Sequence, residues 1–294
     1  MILRPLSAAA GLVHPWDILV VTSAAESVNQ SAKQVAQSKP VKIGARVGIL
    51  AYGITHLLIA WLALQVAFGQ GGEQADQSGA FSELAKQPFG QVLLWVLAVG
   101  FVATALWRLE QAIWGYSYEH DRTKNIRKRA VSGFKVVVFI ALAVLAGTTA
   151  AGGGGGGGGG QQQATAGVLG LPGGQFIVGA VGLGIIGAGG AKIYQGWKKK
   201  FLDDMDLPAD RKAKQVAERT GQVGFIAKGF SIALIGLLVV IAAIRFDPAE
   251  ASGLDAALKS LVSQPFGPYL LILVALGLIC YGVFCFFDAR YHRV

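Results

Sequence analysis

Few residues in this sequence combine the type and the spacing that catalysis or metal binding requires. The four histidines, at positions 14, 56, 120 and 292, show no metal-ligand spacing. Cys280 and Cys285 are five residues apart, which points them about 140° apart on a helix. No Ser/His/Asp or paired-carboxylate arrangement occurs within the apolar runs. We therefore expect no catalytic residue, no metal site and no cofactor, and the sequence does not predict an enzyme.

One glycine pattern, Gly182-x-Gly184-x-x-Gly187, formally matches the dinucleotide-binding fingerprint. That fingerprint has meaning only between a strand and a helix of a parallel α/β unit, whereas this copy lies inside a long apolar run. Ala180, Gly184 and Ala188 recur every four residues, and small residues at that spacing let membrane helices pack closely. We expect these three residues to lie at a helix–helix interface.

Polar residues recur at equal distances from a repeated turn. The turn Gln87–Gly90 returns as Gln264–Gly267 and, in a degenerate form, as Leu171–Gln175. Offsets of 84 and 177 residues from the first copy align three sets of positions: Gly100 with Gly184 and Gly277, Arg108 with Lys192 and Cys285, and Gln111 with Gln195 and Asp288. An internal repeat has to be recognised before a fold is assigned. Here it predicts three units of two helices each.

The aligned polar positions have two interpretations. Arg108 and Lys192 are either anchors whose long side chains reach the membrane surface, or residues that bind a lipid headgroup or a partner. Gln111, Gln195 and Asp288 either make structural hydrogen bonds or, if the units pack around a pseudo-threefold axis, form a polar ring near the cytoplasmic face. The small residues of the same column, Gly100 and Gly277 among them, are expected to pack against neighbouring helices.

His56 is the ionisable residue placed deepest in an apolar run. It lies about ten residues into the first run, near the middle of a bilayer at about 1.5 Å per residue. An ionisable residue at that depth is a functional candidate, and histidine titrates near neutral pH. The aligned residue of the third unit is Ile232, however. Two interpretations stay open: a neutral histidine bonded to a neighbouring helix, or a residue that lines a transport path.

Long charge-free windows determine the fold class. Asp, Glu, Lys and Arg are absent from residues 47–72, 87–107, 136–191 and 260–287. A helix that spans a bilayer needs about 20 apolar residues, so the third window is long enough for two spans. A further span lies between Lys228 and Arg245, which we expect to snorkel from its two ends. The sequence therefore predicts an all-α, polytopic integral membrane bundle of six transmembrane helices in three pseudo-repeats.

The distribution of basic residues predicts the orientation. Apart from Arg4, only Lys86, Arg245 and Lys259 lie in the loops within the units, which leaves 22 of the 26 Lys and Arg residues on the other side. Because cytoplasmic loops carry the basic excess, both termini are predicted to be cytoplasmic. The net charge of +9 then favours anionic lipid headgroups as partners. No aromatic-interleaved basic motif indicates nucleic acid.

The chain divides into a leading segment and the three units. Residues 1–42 form a cytoplasmic, disordered segment, whose first 20 residues read as a mis-assigned start rather than as a signal peptide. Repeat 1 covers residues 43–118, repeat 2 residues 119–204, and repeat 3 residues 205–294. The outer loop of repeat 2, residues 150–175, contains nine consecutive glycines, Gly152–Gly160, and is predicted to be a flexible linker.

The repeat resembles a known bacterial family. The turn Gln87–Gly90, the entry Arg46–Gly53, the run Ile59–Ala63 and the loop Asp76–Gly79 look like the "domain of unknown function 1206" family, which is common in actinobacteria. The resemblance covers about Ala45 to Arg293, and repeat 2 departs from it at its turn. It implies a six-span protein of the bacterial plasma membrane, and it brings no assigned activity.

Two functions are compatible with these residues. A repeat rich in packing residues and poor in buried polar ones favours a scaffold or accessory protein that binds lipid or a partner membrane protein. The alternative is a small transporter or channel, with His56 and the aligned Gln111, Gln195 and Asp288 lining a path.

Overall fold

A computed structural model gives the fold and describes residues 38–70, 73–115, 121–153, 165–206, 210–251, 253–262 and 264–292. The structure is built from helices, six of which are long and apolar enough to cross a membrane. These six are α1 (Lys39–Ala67), α3 (Gly90–Trp114), α4 (Arg122–Ala150), α5 (Gly174–Trp197), α6 (Arg211–Arg245) and α8 (Gly267–Tyr291); α2 (Gln77–Ala85) and α7 (Gly253–Val262) are short. The predicted all-α polytopic membrane bundle is confirmed.

The helices begin earlier than the charge-free windows suggested. α1 begins at Lys39, and α4 extends back to Arg122, so basic residues form the first turns of these helices. The predicted N-terminal segment up to residue 37 and most of the glycine tract lie outside the described residues. A 3-10 turn, Lys200–Asp204, follows α5.

The repeated turn starts the second helix of each unit in the same way. Phe89 and Phe266 precede α3 and α8 with φ of +62°, and Gly173 precedes α5 with φ of +75°. The next residue is glycine in all three copies, because a Cβ at Gly90, for example, would collide with the carbonyl oxygen of Leu84. The degenerate copy therefore keeps the turn of the other two, with glycine at the strained position where they have phenylalanine.

The long helices follow one another around the bundle in a nearly closed order. The second helix of each unit packs against the first helix of the next: α3 on α4, α5 on α6, and α8 on α1. Within the units, α1 packs on α3 and α6 packs on α8. In the described residues, α4 and α5 of the middle unit have no comparable interface. The contact between units thus occurs three times and the contact within a unit occurs twice. The order of packed helices is therefore open at one place, between α4 and α5.

Small residues allow the closest helix contacts. Gly100 of α3 lies against Gly48 of α1, where an added Cβ would be 3.0 Å from the Gly48 nitrogen. A Cβ on Gly277 of α8 would collide with Ala227 of α6. These contacts need glycine, since any larger residue would separate the two backbones.

The packing face of α5 differs from the sequence prediction. Gly182, Gly189 and Gly196 face α6, and a Cβ at Gly189 would lie 2.6 Å from the carbonyl oxygen of Gly229. Ala180, Gly184 and Ala188 are exposed instead, so placing them at an interface within the chain was wrong. The physical reason is that α5 carries glycine or alanine on several faces, and a seven-residue spacing competes with the four-residue one.

The two ends of the bundle have different character. The turn end carries α2 and α7, and the loop before α2 is joined to α7 by a hydrogen bond from the Ala75 nitrogen to Asp255 Oδ1 at 2.9 Å. The opposite end, called the basic end below, carries the first turns of α1, α4 and α6. There the 3-10 turn after α5 meets the C-terminal residues, with the Asp206 nitrogen donating to the Tyr291 carbonyl at 2.7 Å.

Candidate functional site

Three cations from three different helices lie together toward the basic end. Arg108 belongs to α3, Lys135 to α4 and Lys192 to α5, and Lys135 is within electrostatic range of both others. We call these three residues the basic cluster. Arg108 and Lys192 lie six and five residues before the ends of their helices, or about 8 Å from those ends at 1.5 Å per residue.

Arg108 lies on the face of α3 that carries small residues. Gly100 and Thr104 contact α1, and Thr104 Oγ1 donates to the Ala45 carbonyl at 3.1 Å. Arg108 follows four residues later on the same face of the helix. Its side chain is 6% exposed. Arg108 is therefore covered by protein, whereas the sequence predicted that its side chain reaches the membrane surface.

The Arg108 guanidinium has unfilled hydrogen-bonding capacity. Nη1 donates to Gln111 Oε1 at 2.8 Å, and the group lies 4.3 Å from the centre of the Trp107 ring. Nε is buried and has no hydrogen-bond acceptor among the described residues. A buried donor without an acceptor costs about 1–3 kcal/mol, so this N–H stabilises any anionic oxygen that reaches it.

Lys192 repeats the arrangement of Arg108 one unit later. Its Nζ donates to Gln195 Oε1 at 3.1 Å and lies 5.0 Å from the centre of the Phe225 ring. Gln111 and Gln195 therefore each accept a hydrogen bond from the cation three residues before them. The geometry gives both glutamines the role of orienting a cation of their own unit.

Asp288 occupies the corresponding position in the third unit and has a different partner. Its Oδ1 lies 2.7 Å from Nδ1 of His292, one turn further along α8. Asp288 also interacts electrostatically with Arg108 and Lys135. Asp288 is thus an acidic residue near the basic cluster, although its close contact is with His292.

The basic cluster is not neutralised by the carboxylates of the described residues. Asp204, which also influences Lys135, forms an ion pair with Lys128 at 3.1 Å. Within the described chain, no carboxylate oxygen comes within 4 Å of a nitrogen of Arg108, Lys135 or Lys192. The three basic side chains therefore outnumber the two carboxylates, Asp204 and Asp288, that act on them from beyond 4 Å.

A fourth cation lies further from the basic end. Lys228 Nζ donates to Tyr52 Oη at 2.6 Å and lies 4.0 Å from the centre of the Tyr281 ring. The expected snorkelling is not observed, because the side chain turns into the bundle between α1 and α8. Tyr52 is the residue of repeat 1 that aligns with Lys228, so the two repeat positions contact each other.

His56 is held by its own helix and two aromatic rings. Its Nδ1 lies 2.8 Å from the Tyr52 carbonyl oxygen, and its ring is 4.4 Å from that of Tyr52 and 4.8 Å from that of Tyr281. The side chain is 4% exposed. This contact is within α1, whereas the sequence interpretation had proposed a neighbouring helix.

Sequence analysis missed Lys135 and Lys228. Lys135 lies outside the aligned column and ends a basic run that reads as a cytoplasmic link, and Lys228 reads as the end of a span. A signal was available for Lys228, because its repeat partner Tyr52 is also amphipathic and lies within an apolar run. No group of three or more metal-ligating residues occurs in the described part of the chain.

These features define a class: a polytopic α-helical membrane protein made of three two-helix units. The family model described as "Domain of Unknown Function (DUF1206)" matches residues 47–115, 131–199 and 223–292. The chain belongs to this family, and the match includes the divergent middle unit.

One curated relative shows how far the similarity extends. The "Uncharacterized protein YxxB" of Bacillus subtilis (strain 168) is 30% identical over 260 residues, which are 88% of this chain and 94% of that protein. No solved structure matches the chain significantly. The similarity thus includes nearly the whole length of both chains and carries no assigned activity.

Proposed function

We propose that this protein is a non-enzymatic membrane protein that binds an anionic ligand of phosphate type between its helices. The observation that carries the proposal is the convergence of Arg108, Lys135 and Lys192 from three helices without a carboxylate of the described residues within 4 Å. The orphaned Nε of Arg108 adds a donor that needs an acceptor.

Electrostatics favour an anion at this position. Like charges repel strongly where the surroundings are poorly solvated, and partly buried cations have lost part of their hydration. A phosphate-type anion offsets both costs, because charge-assisted hydrogen bonds from Arg and Lys to anionic oxygens are roughly twice as strong as neutral ones. Glutamines that orient two of the three cations also reduce the entropy lost on binding.

The proposal includes a location in the plasma membrane with both termini in the cytoplasm. The basic end then faces the inner leaflet, in accordance with the excess of Lys and Arg in cytoplasmic loops. Anionic headgroups are abundant there and attract basic segments. Within this proposal the protein serves as an accessory or scaffold protein for lipid or for a membrane partner.

Transport is the alternative from the sequence, and it stays a separate hypothesis. It requires His56 and the aligned polar residues to line a path. The hydrogen bond between His56 and the backbone carbonyl of Tyr52, together with the ring contacts of His56 with Tyr52 and Tyr281, favours a structural role instead. Flux through liposomes that is abolished by His56→Ala, with folding retained, would support the alternative.

Anion binding is tested by thermal unfolding of the full chain purified in mild detergent. Because a ligand that binds the folded state stabilises it, inorganic phosphate should raise the Tm relative to chloride of equal ionic strength. The Lys135→Gln and Lys192→Gln variants should lose most of this shift. Lys212→Gln, at an exposed position in the first turn of α6, is the matched control. An equal shift in the control and in the cluster variants would overturn the proposal.

A further inference from the structure

The second helix of the middle unit exposes a surface that is covered in the other two units. In repeat 1, Gly100 and Thr104 pack against α1, and in repeat 3, Gly277 packs against α6. The aligned residues of repeat 2 are Gly184 and Ala188. Both are exposed, and a Cβ added at Gly184 meets no atom of the described residues within 4 Å.

In the described residues, the missing contact leaves a gap in the order of packed helices between α4 and α5, which we call the cleft. These two helices belong to one unit and have no interface in the described residues comparable with α1–α3 or α6–α8. Gly184, Ala188 and Lys192 follow one another at intervals of four on α5, so they share one face of the helix. Because the same face of α3 meets α1, this face of α5 borders the cleft.

The cleft is apolar along its length and basic at its inner end. No charged residue occurs between Val136 and Ala191, which includes the outer part of α4 and most of α5. Lys135 and Lys192 then stand on the two walls, with Arg108 beside them. Repulsion between these cations opposes closure of α4 on α5, and an anion between them would remove that opposition.

Dimensions and charge match one kind of occupant. From Val136 to Ala150, α4 provides a wall about 22 Å long at 1.5 Å per residue, longer than the roughly 15 Å of hydrocarbon in one leaflet. Arg108 and Lys192 are about 8 Å from the inner ends of their helices, and Lys135 lies directly before the apolar wall of α4. A ligand with an anionic head and apolar chains fits both parts.

We propose that the cleft between α4 and α5 binds one anionic phospholipid of the inner leaflet, with its phosphate at the basic cluster and its acyl chains along Gly184 and Ala188. The inference rests on the anion binding proposed above and names the source of the anion. The lipid enters sideways from the bilayer and bridges the two helices of the middle unit. A helix of a second copy fits less well, because the chain carries a net charge of +9 and would bring further cations to the cluster.

The test is native mass spectrometry of the full chain with phosphatidylglycerol and phosphatidylcholine of identical acyl chains. Wild type should prefer phosphatidylglycerol, and each of Lys135→Gln and Lys192→Gln should weaken its binding about fivefold. Gly184→Leu fills the cleft and should prevent phosphatidylglycerol binding, while the stabilisation by inorganic phosphate persists. Gly190→Leu is the matched control, since Gly190 is equally open but turned about 120° away.

The outcomes separate this inference from the proposed function. Stabilisation by phosphate without a preference for phosphatidylglycerol would overturn the lipid site and leave the anion site standing. Equal effects of Gly184→Leu and Gly190→Leu would overturn the lateral cleft. Absence of both phosphate and phosphatidylglycerol binding would overturn both proposals. A photoreactive residue in place of Ala188 should crosslink to lipid in membranes, and a crosslink to another protein there would overturn the lipid as occupant.

Discussion

At the scale of single residues, the bundle uses repeat-related positions for different chemistry. Arg108 and Lys192 keep a cation with a glutamine three residues later, whereas the third unit has Cys285 and Asp288 at the same places. Two of three equivalent sites are therefore basic and one is acidic. This asymmetry places the excess charge on the side of the middle unit.

The pair of Lys228 and Tyr52 offers a residue-scale prediction. Tyr52→Phe removes the hydroxyl that accepts from Lys228 Nζ and should destabilise the protein by about 1–3 kcal/mol, because a buried cation loses its acceptor. Lys228→Met combined with Tyr52→Phe should recover stability near that of the wild type, since buried polar pairs are replaceable by apolar residues of similar volume. Thermal unfolding of both single variants and the double variant gives the coupling, and strictly additive losses would contradict the pairing.

Asp76 at the turn end gives a pH-dependent prediction. Its carboxylate caps α2 by accepting from the Gly79 nitrogen at 2.9 Å, while burial, with a smaller contribution from nearby Asp255, raises its pKa above the usual value. The ionised form therefore costs stability above the folded-state pKa, and the cost disappears as pH falls through it. Asp76→Asn keeps the cap and should raise the Tm at pH 8, with the advantage shrinking toward acid pH.

The control for Asp76 removes the cap itself. Asp76→Ala should cost about 1 kcal/mol at acid pH, since Ala accepts no hydrogen bond from Gly79, and less at neutral pH, where it also removes the cost of the buried charge. An Asn variant less stable than wild type at pH 8 would show that ionised Asp76 stabilises the fold, which is the opposite of the effect expected from its raised pKa.

At the scale of helices, glycine position decides how α5 packs. Gly189 faces α6, where an added Cβ would lie 2.6 Å from the Gly229 carbonyl oxygen, whereas Gly190 has no atom of the described residues within 4 Å. Gly189→Ala should lower the Tm because α5 and α6 must separate. Gly190→Ala should be neutral or stabilising by up to about 1 kcal/mol through helix propensity. Equal Tm values for these adjacent substitutions would contradict the assigned packing face.

The existence of the helices was predictable, and their pairing was only partly so. Charge-free windows of about 20 residues identify membrane spans because the bilayer excludes charge along that length, and the prediction of six is confirmed. The face of α5 was not predictable, since glycines occur on several of its sides and sequence periodicity alone cannot select one. Lys135 was missed for a related reason: its role depends on α4 packing against α3 and on Lys192 of α5 lying nearby, a tertiary relation without a local pattern.

At the scale of the whole molecule, three successive units form an ordered circuit of helices. The contact of α5 with α6 joins the second unit to the third, and it predicts a specific crosslink. The Cβ of Ala243 would lie 3.8 Å from a Cβ at Gly179, a typical separation for a disulfide. Gly179→Cys with Ala243→Cys should therefore oxidise to a disulfide in a background with Cys280→Ala and Cys285→Ala.

The control for this crosslink uses the uncovered face of α5. Gly184→Cys with Ala243→Cys should stay reduced, because the first residue faces away from α6. Mobility in non-reducing gels after protease cleavage between the units distinguishes the two pairs. Efficient oxidation of the control would contradict the order of helices around the bundle.

The one helix contact that the described residues do not make in this circuit, between α4 and α5, has a mechanical consequence. α3 and α4 are held together on one side and α5 and α6 on the other, and the seam of α1 with α8 lies opposite the opening. We expect the lowest-energy collective motion of the protein to move the pair α3 and α4 relative to the pair α5 and α6 about the interface of α1 with α8. This motion should occur on the microsecond-to-millisecond scale of domain motions. Stiffness would then be lowest between α4 and α5, so that the flexibility of the molecule comes from one of its three repeats.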